Sequence, residues 1–228
     1  MTTIPRYASA GGGALLAGAT GALASVRRAR KPLHPEGAVV TGRLHRSGGG
    51  ARSTGVPWLD EPGDDDVEVR RSRAIGLPSW LPDIHGLAVR VRTAEGVGDL
   101  LFATTGRGRV SRFVLTPSRQ AGARPMTTLL PYDTDTGPLL LGAEATGERT
   151  YELSWARPSG DWHPFGELLL STRPSDDLAI SFDPIDRQLP GLRQYPTVVR
   201  LREPAYLRAR RSRGQDHPAT TQEDHHVQ

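Results

Sequence analysis

From residue 38 onward the chain is a succession of short β-type runs separated by glycine, proline and aspartate, and this spacing limits the folds open to it. The runs cover 38–45, 67–75, 87–92, 100–105, 110–115, 126–132, 138–143, 150–155, 167–171 and 179–182. Each has about the length of a strand, and the turn residues between them favour chain reversal over long crossover helices. The pattern describes a closed or nearly closed antiparallel sheet in an α+β, mainly β fold with a few peripheral helices. The 26 glycines and 19 prolines argue in the same direction, because so many turn formers exclude a bundle of long helices.

At 228 residues the chain has room for one compact domain with loose ends. The boundaries expected from pattern are a helical or flexible segment over 1–30, a barrel domain over 31–211 and a polar tail over 212–228. Two further stretches, 46–55 and 61–66, lack periodicity and read as a flexible loop around Trp58. Near Glu203 a helix is expected, with Pro204 in its first turn, where a missing N–H is harmless. The apolar stretch 11–25 is too short and too rich in glycine to span a bilayer. Only Arg6 precedes it, whereas Arg27, Arg28, Arg30 and Lys31 follow, the reverse of the charge order in a secretion signal. A cytoplasmic location is therefore the expectation.

Several chemistries are excluded or demoted by composition. The chain has no cysteine, which removes disulfide frameworks, thiolate zinc sites, iron–sulfur clusters and cysteine nucleophiles. Of 29 Lys and Arg residues only Lys31 is lysine, yet the net charge is a modest +4. The clusters Arg107, Arg109, Arg112 and Arg208, Arg210, Arg211, Arg213 would attract phosphate without any dedicated fold. With 6% aromatic residues and no recognition helix or stacking platform, specific nucleic-acid binding is not expected. His225 and His226 sit in a polar tail that fixes no geometry. The acidic run around Asp64, Asp65 and Asp66 lacks the alternating ligands of a calcium loop and reads as a solvated charge run. Trp58, Trp80, Trp155 and Trp162 read as core or lid residues.

The chemistry lies in the order of a few short motifs. His34 has Gly37 and Gly42 three and eight residues behind it, and Arg70-Arg71-Ser72 follows at a distance. The segment PDIHGLAVRVRTAEGVGDLL then supplies Asp83, Gly86, Ala88, Thr93, Glu95, Gly96, Asp99 and Leu100. Later comes FGELLLSTRPSDDLAISFDPIDRQLPGL, and after it Arg202, Tyr206 and Arg213, with arginines four before and seven after the tyrosine. Together these segments resemble the core of the haem catalases, over nearly the whole of 31–213.

That resemblance implies a catalase-type β-barrel binding one haem b. Tyr206 matches the family's proximal iron ligand, and a phenolate ligand favours the ferric state and peroxide chemistry. Arg202, one helical turn earlier, matches the arginine that keeps the phenol ionised. Lys31, Arg70 and Arg213 match the positions that bind the haem propionates, although lysine lacks the bidentate fork of arginine. His34 matches the distal acid–base residue, and Ser72 the serine that orients its ring. Where the family has an asparagine after the Asp-Leu pair, DLLFATTG places Ala103 or Thr104. This departure implies weak disproportionation of hydrogen peroxide and relatively better peroxidase turnover with an unidentified electron donor. The long arm and C-terminal helices of full-length catalases have no counterpart in these 228 residues, which implies a more accessible haem open to organic or lipid hydroperoxides. The family's tetramer depends partly on those arms, so no oligomeric state follows. The alternative is a haem-free barrel of the same fold that encloses a lipid or another apolar ligand.

Overall fold

The computed structural model of the protein describes residues 39–50, 52–73, 78, 80–174, 180–196 and 198–199. Among them eight strands form one closed antiparallel barrel in the order of the chain. They are β1 (Val39–Arg46), β2 (Gly63–Arg73), β3 (His85–Thr93), β4 (Gly96–Thr104), β5 (Met126–Thr127), β6 (Leu140–Ala145), β7 (Thr150–Ala156) and β8 (His163–Pro174), with β8 returning to pair with β1. A single helical turn, α1 (Pro57–Asp60), joins β1 to β2, and a 3-10 turn occupies Ser111–Phe113. The chain divides into two units, Met1–Tyr195 and Pro196–Gln228, and the barrel lies in the first. The expected N-terminal helix and the helix near Glu203 fall outside the described residues.

A strand turns successive side chains to opposite faces, and that alternation is clean here. Val67 and Val69 of β2, Leu87, Val89 and Val91 of β3, and Leu100 and Phe102 of β4 enter the same core cluster. From the far side they meet Leu141 and Ala143, Tyr151, Leu153 and Trp155, and Leu168 and Leu170. Phe165 is fully buried and stacks edge-on against Trp58 of α1, with ring centroids 5.8 Å apart. These side chains fill the barrel. A lipid enclosed within it, as the haem-free alternative requires, would have to displace them.

The β3–β4 hairpin shows how local chemistry sets the register. Thr93 Oγ1 accepts the amide of Glu95 and donates to the Gly96 carbonyl, and Gly96 adopts φ of 146°. A side chain at that φ would be strained, so glycine closes the turn. Leu129 adopts φ of 63°; β5 ends at Thr127, and of the rest of the expected strand 126–132 the Thr128 amide bonds the Leu141 carbonyl and Tyr132 forms an isolated bridge to Leu139.

The acidic run differs from expectation. Rather than a solvated loop, Gly63–Arg73 is a strand whose first residues pair with Arg43, Leu44, His45 and Arg46. Asp65 faces inward and is buried, accepting hydrogen bonds from Arg46 Nε at 2.7 Å and Trp58 Nε1 at 3.1 Å. Asp64 and Asp66 face outward, paired with His45 and Arg43. Three consecutive aspartates hid the alternation of a strand, because the buried one is satisfied by partners distant in sequence. The preceding stretch is also ordered: the carboxylate of Asp60 accepts hydrogen bonds from Ser53 Oγ, Thr54 Oγ1 and the amides of Thr54 and Gly55. Of the expected strand 110–115, Ser111–Phe113 is instead the 3-10 turn, in which the Phe113 and Val114 amides bond the Val110 and Ser111 carbonyls, and only Leu115 forms an isolated bridge, to Thr105. The described residues of the expected strand 179–182 lie outside the sheet, in a strap over its surface.

Candidate functional site

The outward face of β1 to β4 brings the candidate residues of the middle of the chain together. Ser72 lies opposite Gly86, and Gly86 opposite Ala103, so these three share one row across the sheet. The next row reads Val39, Arg70, Ala88 and Leu101, each opposite its neighbour. Below it come Thr41, Glu68, Arg90 and Asp99, and then Arg43, Asp66, Arg92 and Val97. The first two rows are small or apolar apart from the hydroxyl of Ser72 and the guanidinium of Arg70. The last two are a ladder of opposite charges, with Glu68 bonded to Arg92 at 2.8 Å and Arg90 to Asp99 at 2.7 Å. An open cleft of about 520 Å³ runs beside them, between Thr41, Arg43, Glu68, Arg92 and Leu169.

The small residues matter because they let other atoms approach the sheet. A Cβ added at Gly86 would stand 2.7 Å from Ser72 Oγ, so glycine is what allows that hydroxyl to lie over β3. Val39 and Ala88 form a second apolar cluster with Ile180 and Phe182 of the strap, outside the barrel. Phe182 is its lid, with the guanidinium carbons of Arg70 and Arg90 at 5.4 and 5.3 Å from its ring centroid. This is cation–π distance, and it holds the Arg70 side chain against an apolar wall.

Thr104 lies elsewhere. It follows Phe102 on the inward side, is fully buried, and its Oγ1 accepts the His85 amide at 3.2 Å. Of the two residues considered for the distal donor, Ala103 shares the row of Ser72, and it has no hydrogen-bonding side chain. Lys31, His34, Arg202, Tyr206 and Arg213 lie outside the described residues. Sequence reasoning assigned no role to Arg90, Phe182 or Asp183. The parity of β3 would have put Arg90 on the face of Arg70, but the strap's path over that face has no local signal.

The arginines of the 105–112 segment serve a different end. Arg112 is buried and donates to the carbonyls of Gly108, Arg157 and Arg107, with its guanidinium 4.8 Å from the ring centroid of Trp162. Burial, and then the positive charge of Arg109, hold its pKa below the ordinary arginine value. Arg107 pairs with Glu144. Two of the three arginines are thus engaged in structure, which weakens the case for phosphate binding there. Among the described residues no helix is long and apolar enough to cross a membrane.

Comparison with known proteins agrees with this architecture. No protein-family model matches the chain, and no curated protein matches its sequence. Solved structures do match. A fungal catalase superposes with a TM-score of 0.57 at 13% identity, over 83% of this chain and 61% of the catalase. A bacterial catalase gives 0.53 at 15% identity, over 84% and 59%. Catalase A from Saccharomyces cerevisiae gives 0.58 at 12% identity, over 83% and 63%. The fold is therefore a catalase-like barrel, and the chain spans about three-fifths of the length of the catalases it matches.

Proposed function

We propose that this protein binds one haem b against the outward face of β1 to β4 and uses it to reduce hydrogen peroxide or organic hydroperoxides at the expense of an external electron donor. The observation that carries the reading is the juxtaposition of Arg70, Ser72, Gly86, Ala88 and Phe182 on the outward face of a catalase-like barrel. A flat macrocycle with carboxylate edges needs small residues for close approach, an apolar wall and a guanidinium at its margin. Gly86 and Ala103 supply the first, Ile180 and Phe182, packed on Val39 and Ala88, the second, and Arg70 the third. The described residues fit the group.

In this reading Tyr206 ligates the iron, Arg202 keeps its phenol ionised, and Lys31, Arg70 and Arg213 hold the propionates. Haem, when bound, supplies the iron at which the peroxide O–O bond breaks. His34 takes a proton from one peroxide oxygen and returns it to the departing one, and Ser72 orients its imidazole. With Ala103 in the row of Ser72, and the hydroxyl of Thr104 engaged by the His85 amide, peroxide lacks a second distal donor from this strand. That supports slow disproportionation and a greater share of peroxidase turnover.

Titration of the purified protein with haemin tests the reading. One equivalent should produce a Soret band with high-spin ferric charge-transfer bands, and Tyr206→Phe should lose them. His34→Ala should keep the colour and slow the reaction with peroxide by about 100-fold or more, the usual scale of general acid–base catalysis. Protein that stays colourless with excess haemin would end the proposal, and equal rates for wild type and His34→Ala would remove the acid–base role.

A further inference from the structure

The strap over residues 180–192 connects the candidate face to the core. Its first part, Ile180 and Phe182, covers the row of Arg70 and Ala88, and its last part, Leu189 and Leu192, enters the barrel core. Gly98 makes the entry possible, since a Cβ there would stand 2.3 Å from Leu189 Cγ. Between the two parts the strap is fastened to one buried ion pair. Arg90 grips Asp99 through two hydrogen bonds of 2.7 Å, and their side chains are only 8% and 0% exposed.

Each member of that pair also holds strap backbone. Asp99 Oδ2 accepts the Asp183 amide at 2.6 Å, and the Asp99 amide donates to the Arg187 carbonyl at 3.0 Å. Arg90 Nη2 donates to the Ser181 carbonyl at 2.6 Å. Asp183 in turn accepts the amides of Ile185 and Asp186, closing a turn. The bonds to Ser181 and Asp183 flank Phe182 on both sides. Its ring therefore has a fixed position over Arg70.

We propose that Asp99 is a positioning residue for the haem face: by holding the Asp183 amide itself, and the Ser181 carbonyl through Arg90, it sets Phe182 against Arg70 and so fixes the guanidinium that meets a propionate. This rests on the haem reading above. Asp99 touches neither cofactor nor substrate, and it acts through Phe182.

Two variants and two readouts test it. Asp99→Asn keeps the shape but removes the charge, and Phe182→Leu keeps the apolar wall but removes the ring. Amide exchange at Asp183 reads the clamp, and the rate of haem transfer to a scavenging globin reads the site. In Asp99→Asn exchange should rise about tenfold and haem loss about tenfold, the scale of a hydrogen bond to a charged group. In Phe182→Leu haem loss should rise about threefold, the scale of one cation–π contact, with exchange at Asp183 unchanged. Unaltered exchange in Asp99→Asn, or faster exchange with haem retained as in wild type, overturns the inference alone. Should Asp99→Asn fail to fold, Phe182→Leu with haem loss equal to wild type overturns it. Wild type that takes up no haem overturns the parent reading and this inference with it.

Discussion

The loop between β1 and β2 and the strap after β8 are each fastened by an aspartate that accepts backbone amides, and the two are built differently. Asp60 belongs to the loop it ties, and its partners Ser53, Thr54 and Gly55 lie within seven residues of it. Asp99 belongs to the barrel, and its partner Asp183 is 84 residues away. The first carboxylate is partly exposed and faces no cation at hydrogen-bond distance among the described residues, whereas the second is wholly buried against Arg90. A local stitch stiffens its own turn. A remote one couples two parts of the fold, and its loss should be felt far from the site of change.

The largest expected effect follows from that difference. Asp99→Ala leaves Arg90 buried without its counter-ion and should cost about 3–5 kcal/mol of stability by urea denaturation, as breaking buried ion pairs generally does. Replacing both members by apolar residues of similar volume, Arg90→Met with Asp99→Leu, should recover only part of the loss, because the Ser181 carbonyl and the Asp183 amide lose their partners. If Asp99→Ala costs no more than Asp60→Ala, the distinction between the two stitches fails. Next in size is Gly98→Ala, which forces Leu189 out of its seat and should cost about 1–3 kcal/mol, as overpacking does. Pairing it with Leu189→Ala should relieve the two side-chain contacts but not the one with the Leu189 amide nitrogen at 2.9 Å, so the two losses would fall short of adding.

What could be read from the sequence separates along the same line. Strand content and antiparallel closure were legible, because alternation and turn residues act over a few positions. Arg70 and Ser72 were placed by motif, and two residues of separation on one strand ensured a common face. The strand 63–66 was not legible, since Asp65 is satisfied by Arg46 and Trp58, which only the folded hairpin supplies. Nor was Thr104's inward direction, which one residue of register separates from Ala103. The strap was mistaken for a strand because its apolar residues pack on a sheet without joining it.

A smaller effect isolates the outward face from the clamp. Gly86→Ala should cost about 1 kcal/mol and displace the Ser72 hydroxyl, because the new methyl would stand 2.7 Å from Oγ. Ser72→Ala should be nearly neutral in stability, and the double variant should regain most of what Gly86→Ala loses. A double-mutant cycle showing simple additivity would mean that Ser72 does not lie over Gly86.

The smallest effect is the pH dependence of the local stitch. Partial burial pushes the Asp60 carboxyl up, but hydrogen bonds from Thr54, Ser53 and Gly55 outweigh it and hold the pKa below the usual 3.8. A carboxyl depressed in the folded state binds its proton more readily when unfolded, so its contribution to stability is fully present above the unfolded value and is lost as pH falls through the folded one. Asp60→Asn turns an amide nitrogen toward donors that need an acceptor and should cost about 1 kcal/mol at neutral pH. The difference between the urea midpoints of wild type and Asp60→Asn should stay constant down to about pH 5 and shrink below it, because protonated Asp60 and asparagine then offer the loop similar partners. A difference that grew on acidification would mean that the folded loop holds the carboxyl above its ordinary pKa, and that the hydrogen bonds from Ser53, Thr54 and Gly55 do not outweigh its burial.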